Sequence, residues 1–328
     1  MAHWSGRHSL NILGYHGVTA SASPFNDWCY LEVSKFAEQM SWLADQPIDV
    51  MPLDNAVQAM AQGKLRRKTV AITFDDGYRD NMKVALPVLR QHNFAATIFV
   101  TTGLTGTTRA LWPGRITSAL KRSTKSAIEW NGAYYDLTSD SVRRKANVGL
   151  QAQVKLYAAA NPDSAAAEIE QLLEVPEENA DPETSPYAML SPQDIRLAQD
   201  SGLISFGAHT VTHPLLSALN DNDLANEIIN SVDTLTTLAR EPCTSFAYPN
   251  GRSCDYDNRA IALLRKSGIK TAVTTITGPN YRGADFTQLS RWNIGQSTRF
   301  SVFKAMLRGY HPAALRASLR YWGTLGSS

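Results

Sequence analysis

Apolar residues fall along this chain at two distinct spacings. At Val33, Phe36, Met40 and Leu43, and again at Leu53, Ala56, Val57 and Met60, they recur every three or four positions, which predicts two helices with Gly63 stopping the second. Largely apolar runs at 10–15, 70–74 and 94–100 have the length of buried strands, and that at 70–74 the β-branched content as well. Residues 104–190 interrupt this alternation: helix-like stretches at 115–125, 141–160 and 165–175 are joined by polar connectors with hardly a strand among them. They read as a mostly helical insertion that ends in an acidic surface loop at 176–186. Alternation then resumes. Ser191 caps a helix that ends at Gly202, strand 203–206 follows, and Leu224, Ile228, Val232, Leu235 and Leu238 mark a longer helix. Strand 245–248, helix 258–266 and strand 271–275 complete the pattern. Repeated β–α units define an α/β fold, and polar residues gathered at strand ends suit a barrel better than an open sheet.

Composition narrows the function classes. With 43% hydrophobic and 19% charged residues, 328 positions can build a sizeable core, and the chain reads as one domain over 1–328 with a helical tail at about 299–328. A formal net charge of +2, from 32 basic and 30 acidic residues, gives no case for nucleic acid as a partner. Three cysteines without a CxxC spacing favour a reducing compartment. Neither a signal-peptide pattern nor an 18-residue apolar run is present, so the expected location is cytoplasmic. In the tail, Val302, Phe303, Met306, Leu307 and Tyr310 form an apolar stripe, followed by Arg316, Arg320, Tyr321 and Trp322. That pattern fits either a helix packed on the barrel or peripheral contact with an anionic membrane.

Chemistry concentrates at Thr73-Phe74-Asp75-Asp76-Gly77. Two adjacent carboxylates leave a strand end in different directions, so one can face a cation while the other faces a substrate; the alternative is that one of them caps the next helix. Further on, His209-Thr210-Val211-Thr212-His213 sets two imidazoles four residues apart, which converge if the segment turns helically. Together with Asp76 they make a two-histidine, one-carboxylate set that leaves positions open on one divalent ion, with zinc the expected metal. Such an ion activates water and needs a base nearby, and Asp75 is adjacent.

These two motifs and Phe246-Ala247-Tyr248-Pro249-Asn250-Gly251 occur in an order that resembles the polysaccharide deacetylase family, the NodB-homology or carbohydrate esterase family 4 enzymes. The resemblance spans about 67–280. It implies a deformed (β/α)7 barrel and metal-dependent removal of N-acetyl or O-acetyl groups from an amino sugar in a glycan or glycan precursor. It also implies Asp75 as catalytic base, Asp76, His209 and His213 as metal ligands, and the Asn250 N–H as oxyanion donor. Tyr248, Pro249 and Trp292 are the expected substrate-binding residues.

Two departures from the family pattern matter. The motif arginine that usually pairs with the base is missing after Phe246, and Arg291 is the candidate to supply it from a later strand; the alternative for Arg291 is a surface ion pair. No late Leu-x-His motif supplies a general acid. The opening Ile12-Leu13-Gly14-Tyr15-His16-Gly17 resembles the biofilm-polysaccharide deacetylases, where a circular permutation moves that histidine to the N-terminus, so His16 is the expected acid. Competing readings are hydrolysis of a non-sugar C–N bond in a cyclic amide or ureide, and a non-catalytic carbohydrate-binding protein.

Overall fold

The structure is a computed structural model that describes residues 8–20, 25 and 27–309. At its centre β1 (Leu10–Tyr15), β2 (Lys68–Phe74), β3 (Ala96–Val100), β4 (Ile204–Ala208), β5 (Ser245–Ala247), β6 (Thr271–Thr277) and β7 (Leu289–Asn293) pair in parallel, each with its neighbour in chain order. β1 closes the ring. It pairs along its whole length with β2, from Leu10 opposite Thr69 to Tyr15 opposite Phe74, and on its other edge with Trp292 and Asn293 of β7. The second edge of β2 is shared: a short strand, Ile48–Val50, takes its first residues and β3 takes its last.

Helices α1 (Val33–Ala44) and α2 (Leu53–Ala61) lie between β1 and β2, as the spacing predicts, and α3 (Leu86–His92) follows β2 after one π-helical turn, Asn81–Ala85. That turn has no side-chain cap, so capping does not explain Asp75 or Asp76. Period-two alternation sends strand residues to two sides. Ile12, Ala71, Phe99, Ala247, Val273 and Leu289 share one buried cluster, while Leu13, Val70, Ile72, Phe74 and Ile98 join another with the surrounding helices.

Between β3 and β4 the insertion folds as α4 (Trp112–Arg122), α5 (Asp140–Tyr157) and α6 (Pro162–Leu172) around a cluster of its own that includes Trp112, Ile116, Leu150, Val154 and Ile169. It also contains an antiparallel hairpin, Ala127–Trp130 with Ala133–Asp136, which amends the expectation of a segment nearly free of strands. Asn131 and Gly132 join the two strands, both at positive φ (51° and 73°). This is the two-residue turn that right-handed strand twist selects.

Helix α7 (Pro192–Gln199) opens with Ser191 as the expected N-cap, and the structure completes it to a capping box in which Ser191 and Asp194 bond to each other's backbone N–H. α8 (Asp221–Ala239) and α9 (Asn258–Lys266) cover the later strands. α10 (Phe300–Arg308) buries Phe303, Met306 and Leu307 in the main cluster, with Phe303 edge-on to Trp42 at 5.8 Å, so this part of the apolar stripe faces the barrel. Tyr310, Arg316, Arg320, Tyr321 and Trp322 lie outside the described residues, and the membrane expectation with them. Among the described residues no helix is long and apolar enough to cross a membrane.

Candidate active site

The carboxyl ends of the strands form one mouth, and the polar motifs meet there. Asp75 and Asp76 follow β2, His16 follows β1, His209 follows β4 and Asn250 lies just past β5. The two aspartates part as expected. Asp75 turns to Arg291 and His16, and Asp76 to the two later histidines.

Arg291 sits on β7 with no exposed surface and grips Asp75 at both oxygens, Nη1 to Oδ1 at 2.7 Å and Nη2 to Oδ2 at 2.6 Å. Its Nε donates to the Thr274 carbonyl at 2.8 Å, and Nη1 also reaches the Thr73 hydroxyl at 3.3 Å. This is a buried, oriented pair and not a surface one. Burial by itself pushes the Asp75 carboxyl up; Arg291, and after it His209 and His16, override that and hold it below the usual carboxylate range. The group is therefore ionised at neutral pH and fixed in direction. His16 Nε2 stands 4.0 Å from Asp75 Oδ2, with its ring edge-on to Trp28 at 5.0 Å. His16 Nδ1 is buried without a partner among the described residues.

Asp76 Oδ1 is 3.4 Å from His209 Nε2 and 3.5 Å from His213 Nε2, and one ligand atom from each residue lies within 4.8 Å of the others. The donor set fits a divalent cation. His209 Nδ1 sits 2.7 Å from the Ala247 carbonyl, a bond that places its proton on Nδ1 and leaves Nε2 as the coordinating atom. Despite burial, Asp76 is held well below the usual range by His209 and His16, and its own charge helps raise His209 above the ordinary imidazole value, so a cation at Nε2 would take the place of a proton there. Burial, then the charge on His209, pulls His213 down to about 3, so it is neutral and able to donate a lone pair.

The histidine segment is not helical. Thr210 and His213 both take φ +65°, and Asp76 takes +74°. For non-glycine residues this is unfavourable backbone, held in place by its surroundings. Glu227 of α8 accepts from Val211 N at 2.7 Å, from Thr212 N at 2.9 Å and from the Thr212 hydroxyl at 2.6 Å. His213 N donates to Thr210 Oγ1 at 3.0 Å, and the N–H groups of Thr102 and Gly103 donate to the Thr210 and Val211 carbonyls. A Cβ on Gly103 would stand 2.6 Å from the Val211 oxygen, which explains glycine at that close approach. None of this support was read from the sequence.

Asn250 also has a left-handed backbone, φ +56°; its carbonyl accepts from the Thr275 hydroxyl at 2.5 Å, and its N–H makes no hydrogen bond among the described residues. Tyr248 and Trp292 depart from the expectation of substrate binding. Each is 1% exposed. Tyr248 stacks on Tyr256 at 4.0 Å and donates its hydroxyl to the Thr287 carbonyl, while Trp292 Nε1 donates to Asn11 Oδ1 at 3.0 Å. Their faces are used in the core, leaving no surface for a ligand. Pro249 is likewise buried.

Fold and site together define a barrel protein whose mouth joins an arginine-held carboxylate to a two-histidine, one-aspartate cluster. A sequence profile for polysaccharide deacetylases matches residues 62–272, and the chain belongs to that family. A Bacillus subtilis (strain 168) protein, the polysaccharide deacetylase candidate YxkH, is 23% identical over 301 residues, covering 91% of this chain and 76% of its own. Among solved structures, the Streptococcus pyogenes deacetylase PplD in complex with acetate superposes with a TM-score of 0.62 at 19% identity, covering 92% of this chain and 99% of its own. IcaB from Ammonifex degensii does so with a TM-score of 0.59 at 18% identity, covering 92% and 96%. At these identities the superpositions establish the shared fold.

Proposed function

We propose that this protein hydrolyses the N-acetyl, or an O-acetyl, group of an amino sugar in a glycan or glycan precursor, with Asp75 as base and His16 as acid. The observation that carries the reading is the division of labour between neighbours: Arg291 holds Asp75 at both oxygens, while Asp76 joins His209 and His213. One carboxylate is thereby reserved for proton transfer and the other for a cation.

Asp76, His209 and His213 would hold the divalent ion, zinc by the nitrogen-rich donor set. When bound, such an ion supplies Lewis-acid polarisation of a carbonyl and lowers the pKa of water. Asp75 takes a proton at a carboxylate oxygen as water adds to the acetyl carbon, and Arg291 keeps that oxygen aimed. The Asn250 N–H faces the charge that develops on the carbonyl oxygen; a donor of this kind contributes about 3–4 kcal/mol to the transition state. As the C–N bond breaks, His16 delivers a proton from Nε2 to the departing nitrogen, which is otherwise too basic to leave.

Acetate release across a panel of N-acetylated glycans, with metal-loaded enzyme and with chelated enzyme, is the direct test. Release is expected only with the loaded form. Asp75→Asn is expected to keep its metal and lose turnover, whereas Asp76→Asn is expected to lose metal affinity first. The opposite pattern would exchange the two roles, and turnover of small cyclic imides without acetate release from any sugar would overturn the assignment.

A further inference from the structure

The acid and the base stand on neighbouring strands, and a side chain outside the reacting groups joins them. The last rung between β1 and β2 runs from the Asp75 N–H to the Tyr15 carbonyl at 2.9 Å. Beyond it the ladder ends. On one side the chain turns through Asp76 at positive φ; on the other it turns to Cys29, whose carbonyl takes the Gly17 N–H at 3.1 Å. The His16 carbonyl lies past that last rung, and Asn81 reaches it with a side chain: Nδ2 donates to the His16 carbonyl at 2.7 Å and to Asp80 Oδ1 at 2.9 Å. A carbonyl only accepts, so it is the amide nitrogen that faces it. Asn81 is 1% exposed and opens the π-helical turn that follows the aspartates, a geometry that recurs at functional sites. Gly17 is packed just as closely, since a Cβ there would stand 2.4 Å from the Tyr30 ring and 3.0 Å from Asp80 Oδ2.

The imidazole of His16 therefore hangs from a backbone pinned on both sides, with Nε2 4.0 Å from Asp75 Oδ2 and the ring edge-on to Trp28. We propose that Asn81 is a positioning residue for the proton-transfer step: its amide holds His16 at working distance from Asp75 and couples the acid to the segment that carries both aspartates. The inference rests on the deacetylase reading above and adds to it a residue that touches neither substrate nor cation. Because the bond is made to the backbone of the acid, its loss should be felt only where the leaving group needs a proton.

The test compares Asn81→Leu, which keeps the volume without a donor, with Asn81→Ser, which keeps a shorter donor, on metal-loaded enzyme. On an N-acetylated glycan that the wild type turns over, kcat should fall about 100-fold in Asn81→Leu and about tenfold in Asn81→Ser, with KM and metal content unchanged. On an activated aryl acetate both variants should stay within about threefold of wild type, because that leaving group needs no proton. In a His16→Ala background neither substitution should cost more than about threefold, since residues that act as a unit are not additive. Thermal midpoints establish which variants fold, and Asn81→Ser carries the comparison if Asn81→Leu does not. An equal loss on both substrates, or a full second loss on top of His16→Ala, overturns the role. NMR spectra of isotope-labelled histidines, with His16 assigned by its absence from His16→Ala, need no substrate: the His16 ring signals should shift in both variants while those of His209 and His213 hold. If no glycan releases acetate but the His16 signals shift, the deacetylase reading falls and the positioning role stands. If acetate is released and the His16 signals hold, the reverse is true.

Discussion

Arg291 shows how much one side chain can decide. Its two-point grip satisfies a carboxylate that burial would otherwise drive toward the neutral form. Removing one partner of such a pair strands a charge in the interior, so Arg291→Ala is expected to lower stability by about 3–5 kcal/mol, measured by denaturant midpoint. Arg291→Lys should recover part of that stability but little turnover, because a point charge cannot hold both oxygens. For His16, alanine substitution should reduce deacetylation by about 10²–10⁴ with metal content unchanged. The loss should shrink on an activated aryl acetate, whose leaving group needs no proton; an equal loss on both substrates would make His16 a positioning residue. His16, Asp75 and Asp76 were legible because motif and strand end coincide in sequence. Arg291 was legible only as the filler of a missing arginine, with its burial unforeseen. Tyr248 and Trp292 were misread because proximity to a motif says nothing about which face of the barrel wall a side chain takes, and that depends on register.

At the scale of elements, strands and helices of the barrel followed from apolar spacing, while the turns between them did not. The spacing of the two histidines brings them together if the segment turns helically; they come together instead through left-handed residues at Thr210 and His213, tied down by Glu227 from a helix some distance along the chain. Such a contact has no local signature. The insertion hairpin did have one, since Asn131-Gly132 between two short β-rich runs marks a tight turn. Glu227→Ala should leave the fold intact and weaken metal binding by about 10–100-fold, as loss of support around ligating side chains does. A competition titration against a chelator measures this, and unchanged affinity would show that the loop holds its shape unaided. Glu227→Gln, which keeps an acceptor oxygen, should lose less.

For the whole molecule, the α/β barrel was legible from the order of its parts, whereas the strand pairing that closes it was not. No pattern in residues 10–15 announces that they pair with β2 on one side and β7 on the other. Doubly paired and fully buried, the backbone of β1 should be among the most protected in the protein. Hydrogen exchange of the Ile12 and Leu13 amides is expected to proceed only through global unfolding, with the same free energy as denaturant titration. Faster exchange would mean that β1 can leave the ring while the rest persists.

The position of β1 also bears on how the chain comes off the ribosome. The first barrel strand to be made is one of the last to be enclosed, because its partners Trp292 and Asn293 are synthesised almost 280 residues later. At about 5–20 residues per second, β1 waits tens of seconds with one edge open, joined to β2 but not to β7. An open apolar strand edge invites pairing with other chains, so the nascent protein passes through its most aggregation-prone state just before its last strand emerges. Truncations that end before β7 are therefore expected to be insoluble even though they contain both aspartates, both metal-set histidines and the entire insertion.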